Sequence, residues 1–146
     1  VLTPEEGNGI LVAYNYAPEI ETPENVAFQK AWADMYGDTS LIHEIAVSNY
    51  QGILVWAEAV RQGGGTDSDA IIKAVESGLS IVGPGGKVSI DPKTHHATLD
   101  VHLMKFENQQ MKVLENFDQR PPIDTQAVCD LEANPDDNTQ YEIKID

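Results

Sequence analysis

The hydrophobic period of this chain changes at Gly78, and this change constrains the fold more than any other feature. Before Gly78, apolar residues recur at helical spacing in three capped segments. After it, short apolar runs alternate with turns rich in Gly, Pro, Asp and Asn. A further apolar run at residues 9–16 precedes the helices and is typical of a buried strand. The chain is therefore expected to contain both helices and strands.

The first helix is predicted over residues 22–37. Thr22 suits the N-cap, Pro23 the first helical position, and Gly37 a left-handed C-terminal cap. Its apolar side chains recur at i, i+4, i+7 and i+8 and predict one buried face, made of Phe28, Trp32, Met35 and Tyr36.

Two further helices are predicted over residues 48–62 and 67–78, and glycines end both. Gly52 lies inside the longer one, where it weakens the helix and therefore predicts a close approach by another segment. The predicted core face of that helix consists of Tyr50, Ile53, Leu54, Ala57 and Val60.

Four short strands are predicted beyond Gly78, over residues 79–82, 88–90, 99–106 and 111–117. The last two are expected to pair as a hairpin across residues 107–110. In the third strand, Leu99, Val101 and Leu103 alternate with polar residues or Met and are expected to face the core. Residues 118–146 are rich in Pro, Asp and Asn and predict an extended tail, with a final strand at 141–145.

The charge of the chain excludes one class of partner. With 24 acidic and 9 basic residues among 146, the formal net charge is −15, and no basic cluster is present. Such a surface repels phosphate backbones and anionic lipids, so nucleic acid is not an expected partner. No apolar run reaches the roughly 18–20 residues of a membrane span. Cys129 is the single cysteine, so no internal disulfide forms.

His95 and His96 are adjacent, and His102 follows six residues later. Neighbours on an extended chain point to opposite faces, so the pair does not suit a zinc site that needs three or four converging ligands. The alternative is a turn or hinge role, in which the imidazoles satisfy backbone groups. We favour this interpretation and predict no metal site and no cofactor.

No set of residues suited to catalysis is evident either. A G-x-S-x-G elbow is absent, and Cys129 lies among carboxylates that would raise its pKa. The glycines of 83-GPGGK-87 lack the spacing of a phosphate loop and indicate a plain turn. The chain is therefore not expected to be an enzyme.

Tyrosines give the clearest indication of a binding site. Tyr14 and Tyr16 end a predicted strand just before Pro18, and Tyr50 lies at the start of a predicted helix. Strand ends and helix starts are common ligand positions in α/β folds, and tyrosine offers a flat apolar face with a hydroxyl group. Partly buried tyrosines with a purely structural role are the alternative for each.

The segments GILVAYNY, ETPENVAFQKAWADMYG, SNYQGILVWAEAVRQGGGTDSDAI and GPGGKVSIDPKTHHATLDVHLMKF resemble, in this order, the C-terminal part of type I periplasmic solute-binding proteins. The resemblance covers about residues 5–117 and is greatest to binders of urea, short-chain amides and branched-chain amino acids. It implies an α/β fold, namely a partial periplasmic-binding-protein type I fold with Rossmann-like lobes, a C-terminal β-hairpin and an extended tail. Residues 1–117 would belong to the two-lobed domain, and residues 118–146 would form the tail.

The resemblance also implies positions for the hinge and the ligand. Chain crossings between lobes are expected near residues 14–23 and 91–98, with Pro18, Pro92 and His96 at the hinge. The ligand-binding residues it implies are Tyr14, Tyr16, Tyr50 and, by a looser match, Glu5.

The function implied is that of an ABC-transporter component that binds a small polar solute between its lobes and delivers it to a membrane permease. The location would be periplasmic, or extracellular at the cell surface. A cytoplasmic amide-sensing regulator with the same fold is the first alternative, and a metal-binding protein the second. Because the resemblance covers less than half of such a protein, we expect uncovered apolar faces, met by a missing N-terminal half or by a second copy.

Overall fold

A computed structural model describes residues 2–39 and 42–142 of the chain. The helices are α1 (Pro4–Gly7), α2 (Pro23–Tyr36), α3 (Glu44–Gly63), α4 (Ser68–Glu76) and α5 (Ile123–Gln126). The strands are β1 (Leu11–Tyr14), β2 (Ser80–Gly83), β3 (Gly86–Ile90), β4 (Ala97–Glu107) and β5 (Gln110–Arg120). This order confirms the predicted α/β class. Within the two described ranges, no helix is long and apolar enough to cross a membrane.

Strand β4 is the centre of the sheet. It pairs with β5 over most of its length, as the predicted hairpin, and the turn residues Asn108 and Gln109 both have positive φ. On the other edge, β3 pairs with the start of β4, and β1 pairs further along, from Tyr14↔His102 to Leu11↔Lys105. Strand β2 completes the order β1-β4-β3-β2, and all of these pairings are antiparallel. Strand β4 therefore pairs with β1, β3 and β5, and β2 is attached through β3.

The predicted caps of α2 are confirmed. The Thr22 side chain accepts a hydrogen bond from the Asn25 backbone amide, and Gly37 ends α2 with a φ of 73°. Asp67 caps α4 by accepting from the amides of Asp69 and Ala70. These ends are local events between residues two to four apart, which is why sequence alone predicts them.

The core consists of two small clusters. The first lies around α2, β1 and β4 and contains Tyr16, Ala17, Ile20, Phe28, Ile42, Val47 and Met104. The second lies between α3, α4 and the β2–β3 hairpin and contains Ala59, Ala74 and Leu79. Helix α3 contributes Val47 to one cluster and Ala59 to the other, so it packs against both.

The prediction that β1 is a buried strand was wrong. Leu11 and Tyr14 are 60% and 46% exposed, and Val12 alone of the strand packs against the first cluster. The run LVAY has no polar alternation, so its sequence does not distinguish a strand covered on both faces from one covered on a single face.

The predicted core face of α3 was also wrong. Tyr50 and Ile53 are 43% and 66% exposed, whereas Gln51 is buried. Apolar residues surround most of this helix, so its sequence does not single out one face. No atom lies within 4 Å of the Cβ that an alanine at Gly52 would carry, so the expected close approach there is absent from the described structure. The helix also starts four residues earlier than predicted, at Glu44.

Two further expected faces are corrected. In β4, His102 and Met104 are the buried residues, while Leu99, Val101 and Leu103 are only half-buried. Met104 belongs to the first core cluster, which also contains Tyr16 and Phe28. In α2, Phe28 is buried, but Met35 and Tyr36 are exposed.

After β5 the tail returns to the loop between β3 and β4. The Leu131 amide donates to the Lys93 carbonyl oxygen at 2.6 Å, and Lys93 forms a 3.0 Å ion pair with Asp130. Gln126 donates to Asp91 at 2.8 Å. The strand expected at residues 141–145 lies largely outside the described residues, which end at 142.

Candidate functional site

A cavity of about 280 Å³ lies between the end of β1, the connection to α2 and the start of α3. Three residues singled out from sequence, Tyr14, Tyr16 and Pro18, line it together. Ile45, Phe106 and Met111 add apolar walls. We call this the solute cavity. Sequence reasoning did not identify its walls from α3 and the β4–β5 hairpin, because the chain contacts that assemble them are long-range.

The polar side chains that line the solute cavity include the carboxylates of Glu19 and Glu44. Glu44 is the first residue of α3, and the Ser48 hydroxyl lies 3.5 Å from its Oε1. Oε1 of Glu19 accepts a 3.0 Å hydrogen bond from the Met111 amide. His43 also lines the cavity, and no Lys or Arg of the described residues does so. The described wall therefore suits an apolar body and hydrogen-bond donors.

Tyr16 is an anchor of the site. It is buried, and its hydroxyl donates a 3.0 Å hydrogen bond to Asn25 Oδ1. Burial raises the pKa of Tyr16 to about 12, with the negative charge of Glu19 acting in the same direction and the Asn25 contact against it. The hydroxyl proton of Tyr16 is therefore already used in the hydrogen bond to Asn25.

Asn25 is a residue that sequence reasoning missed. Its Nδ2 donates to the carbonyl oxygens of Pro18 and Ile20, at 3.1 and 2.7 Å. Gln29 also donates to the Pro18 carbonyl, at 2.6 Å. Together with Tyr16, these bonds fix the connection that forms one wall of the cavity. A signal was present, because Asn25 lies three residues before Phe28 and so shares the inward face of α2.

Tyr50 and Glu5 lie away from the solute cavity. The Tyr50 ring packs against Phe28, with centroids 4.8 Å apart, and neither residue lines the cavity. Glu5 is exposed in the first turn of α1, where an acidic side chain is favoured by the helix dipole. Of the four predicted ligand residues, the structure brings together only Tyr14 and Tyr16.

His95 and His96 hold the loop between β3 and β4. His95 has a φ of 54°, and its Nε2 lies 3.3 Å from Glu76 Oε1. His96 Nδ1 lies 2.9 Å from the Thr94 carbonyl oxygen, so its hydrogen bond is local to the loop. Asp91 accepts from the backbone amides of Lys93 and Thr94 and closes the same turn. Among the described residues, no group of three His, Cys, Asp or Glu side chains is placed to hold a metal ion.

The glycine-rich segment 83-GPGGK-87 forms the β2–β3 turn, as predicted, and it closes around a buried side chain. Gln51 Oε1 accepts a 2.9 Å hydrogen bond from the Gly85 amide. A Cβ on Gly85 would lie 2.6 Å from the Asn15 carbonyl oxygen, and one on Gly83 would lie 2.6 Å from Gln51 Oε1. The glycines are therefore required by the approach of α3 and of the segment after β1.

The chain matches known proteins over most of its length. Residues 1–130 match the family described as periplasmic binding protein domain. A Leu/Ile/Val-binding protein homolog of Brucella abortus is 33% identical over 101 residues, which are 68% of this chain and 25% of that protein. This chain thus spans only a quarter of that relative's length.

The chain is also similar to solved structures of solute-binding proteins. A solute-binding protein of an ABC transporter from Rhodopseudomonas palustris, in complex with p-hydroxybenzoic acid, is 35% identical with a TM-score of 0.69. A second from another strain, in complex with 3,4-dihydroxybenzoic acid, is 26% identical with a TM-score of 0.71. Each match covers 80% of this chain and 33% of the other.

A leucine-binding protein from Thermotoga maritima shares the fold, at 19% identity and a TM-score of 0.64 over 78% of this chain and 32% of its own. The proteins of this kind bind solutes and are not enzymes, in agreement with the expectation from sequence. The match over residues 1–130, the antiparallel sheet around β4 and the neighbours in three dimensions agree, and the chain belongs to the periplasmic binding protein domain family.

Proposed function

We propose that this chain forms one side of the solute site in the substrate-binding component of an ABC transporter. The component would act in the periplasm or at the outer cell surface and deliver its solute to a membrane permease. The observation that carries the proposal is the solute cavity, where Tyr14, Phe106 and Met111 form apolar walls beside the carboxylate of Glu44. Family membership supports the same role.

The similar proteins and the apolar walls of this cavity together favour two ligand classes. Relatives at 35% and 26% identity were solved with hydroxybenzoic acids, and the 33% identical relative carries the name of a Leu/Ile/Val-binding protein. Aromatic acids and branched-chain amino acids both have an apolar body for the Tyr14 and Phe106 walls, together with a hydroxyl or ammonium donor for a carboxylate such as Glu44. Urea and short-chain amides bury little apolar surface there and gain less.

Calorimetry on the full-length protein that contains this chain tests the proposal. We expect saturable binding of 4-hydroxybenzoate or leucine, and weak or no binding of urea and acetamide. Tyr14→Ala should weaken binding about tenfold, since a buried aromatic contact supplies roughly 1–3 kcal/mol. Tyr36→Ala is the matched control, because Tyr36 is exposed on α2 and does not line the solute cavity.

The results separate the alternatives. No heat with any of the four compounds would contradict the ligand proposal, and tighter binding of acetamide than of leucine would favour an amide binder. Cell fractionation distinguishes a transporter component in the periplasm from an amide-sensing regulator in the cytoplasm.

The described surface supports a partner for the apolar faces of α2 and α3. Met35 is 74% exposed, Ile53 is 66% exposed and Trp56 is 49% exposed. Large apolar groups at this exposure are stabilised when another surface covers them. We infer that further sequence of the same protein, or a second copy, packs there. Light scattering on the 146-residue chain is expected to show association, and a compact monomer would contradict this inference.

A further inference from the structure

Glu19 joins two walls of the solute cavity that come from distant parts of the chain. Its Oε1 accepts a 3.0 Å hydrogen bond from the Met111 amide, 92 positions later in the sequence. Glu19 belongs to the connection between β1 and α2, and Met111 lies at the start of β5. Both residues line the solute cavity and also a neighbouring cavity of about 540 Å³. Their contact is therefore part of the wall between the two cavities.

The backbone on both sides of Glu19 is fixed. Nδ2 of Asn25 donates to the carbonyl oxygens of Pro18 and Ile20. Ile20 is buried in the first core cluster, and its amide donates to the Ala17 carbonyl oxygen at 3.1 Å. The Glu19 side chain is itself exposed, but it extends from a rigid support.

The β4–β5 hairpin has an open edge where Glu19 meets it. Strand β5 pairs with β4 alone among the described strands, so the backbone groups along its other edge have no neighbouring strand. The Met111 amide finds its acceptor in Glu19. At the tip of the hairpin, the Asn108 amide donates to Asn8 Oδ1 at 2.7 Å, in the segment that precedes β1. The hairpin is thus held both from the segment before β1 and from the connection after it.

We propose that Glu19 is a positioning residue of the solute cavity. It holds the β4–β5 hairpin against the connection before α2 and so sets the spacing between the walls formed by Met111 and Pro18. This inference rests on the proposed function of the cavity.

A second observation places the Glu19 carboxylate at the same wall. Burial and then the negative charge of Glu19 raise the pKa of Tyr16 to about 12, which agrees with a carboxylate close to that anchor. Without the contact to Met111, the start of β5 must be ordered when the solute binds, and such ordering costs affinity.

Calorimetry with 4-hydroxybenzoate and with leucine, on the full-length protein that contains this chain, measures the effect. Glu19→Ala removes the acceptor and should weaken solute binding about tenfold, a loss typical of one hydrogen bond to a charged group. Glu19→Gln keeps a side-chain oxygen that accepts from the Met111 amide, and it should restore most of the affinity. Glu21→Ala is the matched control, because it removes a carboxylate from the same connection but does not line the solute cavity. It should leave the affinity unchanged.

Hydrogen exchange of the Met111 amide tests the contact without any solute. We expect slow exchange in the unaltered protein and in Glu19→Gln, and exchange at least about tenfold faster in Glu19→Ala. The change should be confined to Met111 and the hairpin tip. A general loss of stability would instead accelerate exchange throughout the sheet.

Unchanged solute affinity in Glu19→Ala, or unchanged exchange of the Met111 amide, would overturn the proposal. An equal loss of affinity in Glu19→Gln and Glu19→Ala would also overturn it, because the carboxylate would then act on the solute through its charge. Failure of the proposed function gives a different result, since the unaltered protein then binds neither solute. In that case the exchange of the Met111 amide alone decides whether Glu19 holds the hairpin.

Discussion

The hydroxyl of Tyr16 donates a 3.0 Å hydrogen bond to Oδ1 of Asn25, and this bond joins the segment after β1 to the first turn of α2. Both side chains are buried, at 1% and 0% exposure. Asn25 uses its amide nitrogen on the carbonyl oxygens of Pro18 and Ile20. One tyrosine and one asparagine thus hold the wall of the solute cavity.

Tyr16→Phe is expected to destabilise the protein by about 1–3 kcal/mol, because it leaves a buried amide oxygen without its donor. Urea unfolding followed by circular dichroism measures the change. Tyr14→Phe is the matched control, since Tyr14 is 46% exposed and its loss of a hydroxyl should change the unfolding free energy by less than about 0.5 kcal/mol. Equal midpoints for Tyr16→Phe and the unaltered protein would contradict the assignment.

Alkaline pH should weaken the fold through the same tyrosine. Its pKa is raised to about 12 in the folded state, above a value near 10 in the unfolded chain, because burial disfavours the charged form. The folded state therefore keeps the proton longer, and the resulting stability is complete below pH 10 and lost as pH rises toward 12.

Urea unfolding at pH 8, 10 and 11 measures this loss. The free energy of unfolding of Tyr16→Phe should fall less steeply with pH than that of the unaltered protein. Parallel profiles for the two proteins would exclude Tyr16 as the source of the alkaline loss.

Asp100 stabilises a bulge in the β4–β5 hairpin and should make the fold sensitive to acid. The pairing of β4 with β5 shifts register between Leu99 and Val101, and Asp100 Oδ1 accepts from the Gln119 amide at 2.9 Å. Burial raises the pKa of Asp100, but the hydrogen bonds from Gln119 and Lys87 outweigh it, and the net shift is downward.

A lowered folded-state pKa gives stability that is present above the unfolded value, near 4, and is lost as pH falls through the folded value. Asp100→Asn should cost about 1–2 kcal/mol at pH 7 and flatten the decline below pH 5. Asp34→Asn provides the comparison, because Asp34 forms only an exposed ion pair with Lys30. If both variants retain the acid profile of the unaltered protein, Asp100 is not the group responsible.

Two glycine substitutions should act in opposite directions. Gly85→Ala places a methyl group 2.6 Å from the Asn15 carbonyl oxygen, so the turn or the segment after β1 must move, and we expect a loss of about 2–3 kcal/mol. Gly52→Ala meets no atom within 4 Å inside α3 and should stabilise by about 0.5–1 kcal/mol through helix propensity. Thermal unfolding of both variants checks the pair, and a shift of the same sign in both would contradict the described packing around Gly85.

Sequence predicted the elements whose ends depend on nearby residues. Thr22 and Gly37 delimit α2 because a cap needs one side chain, or one residue with positive φ, next to the helix. The β4–β5 hairpin follows from two strand-like runs separated by a short polar turn. These signals lie within a few residues of one another.

The same reasoning failed wherever a face had to be chosen. In α3, apolar residues occur on nearly all sides, and the buried positions proved to include Gln51 rather than Ile53. In β4, the buried residues are His102 and Met104, because the segment containing Tyr16 covers that side of the strand. The local spacing of apolar residues does not determine which face of either element is buried.

In the candidate site, too, some features follow from nearby residues and others only from the packing of the chain. By itself the sequence determined the helix caps and the turns, since these depend on short-range backbone preferences. It also singled out the tyrosines before Pro18, whose part in binding stays a prediction. The tertiary structure alone decided that Tyr14 lines a cavity with Phe106, that Tyr50 does not, and that Asn25 and His102 are buried polar groups. Contacts between residues about 10 to 90 positions apart arise only when the chain packs, and packing selects among faces that the sequence leaves equivalent.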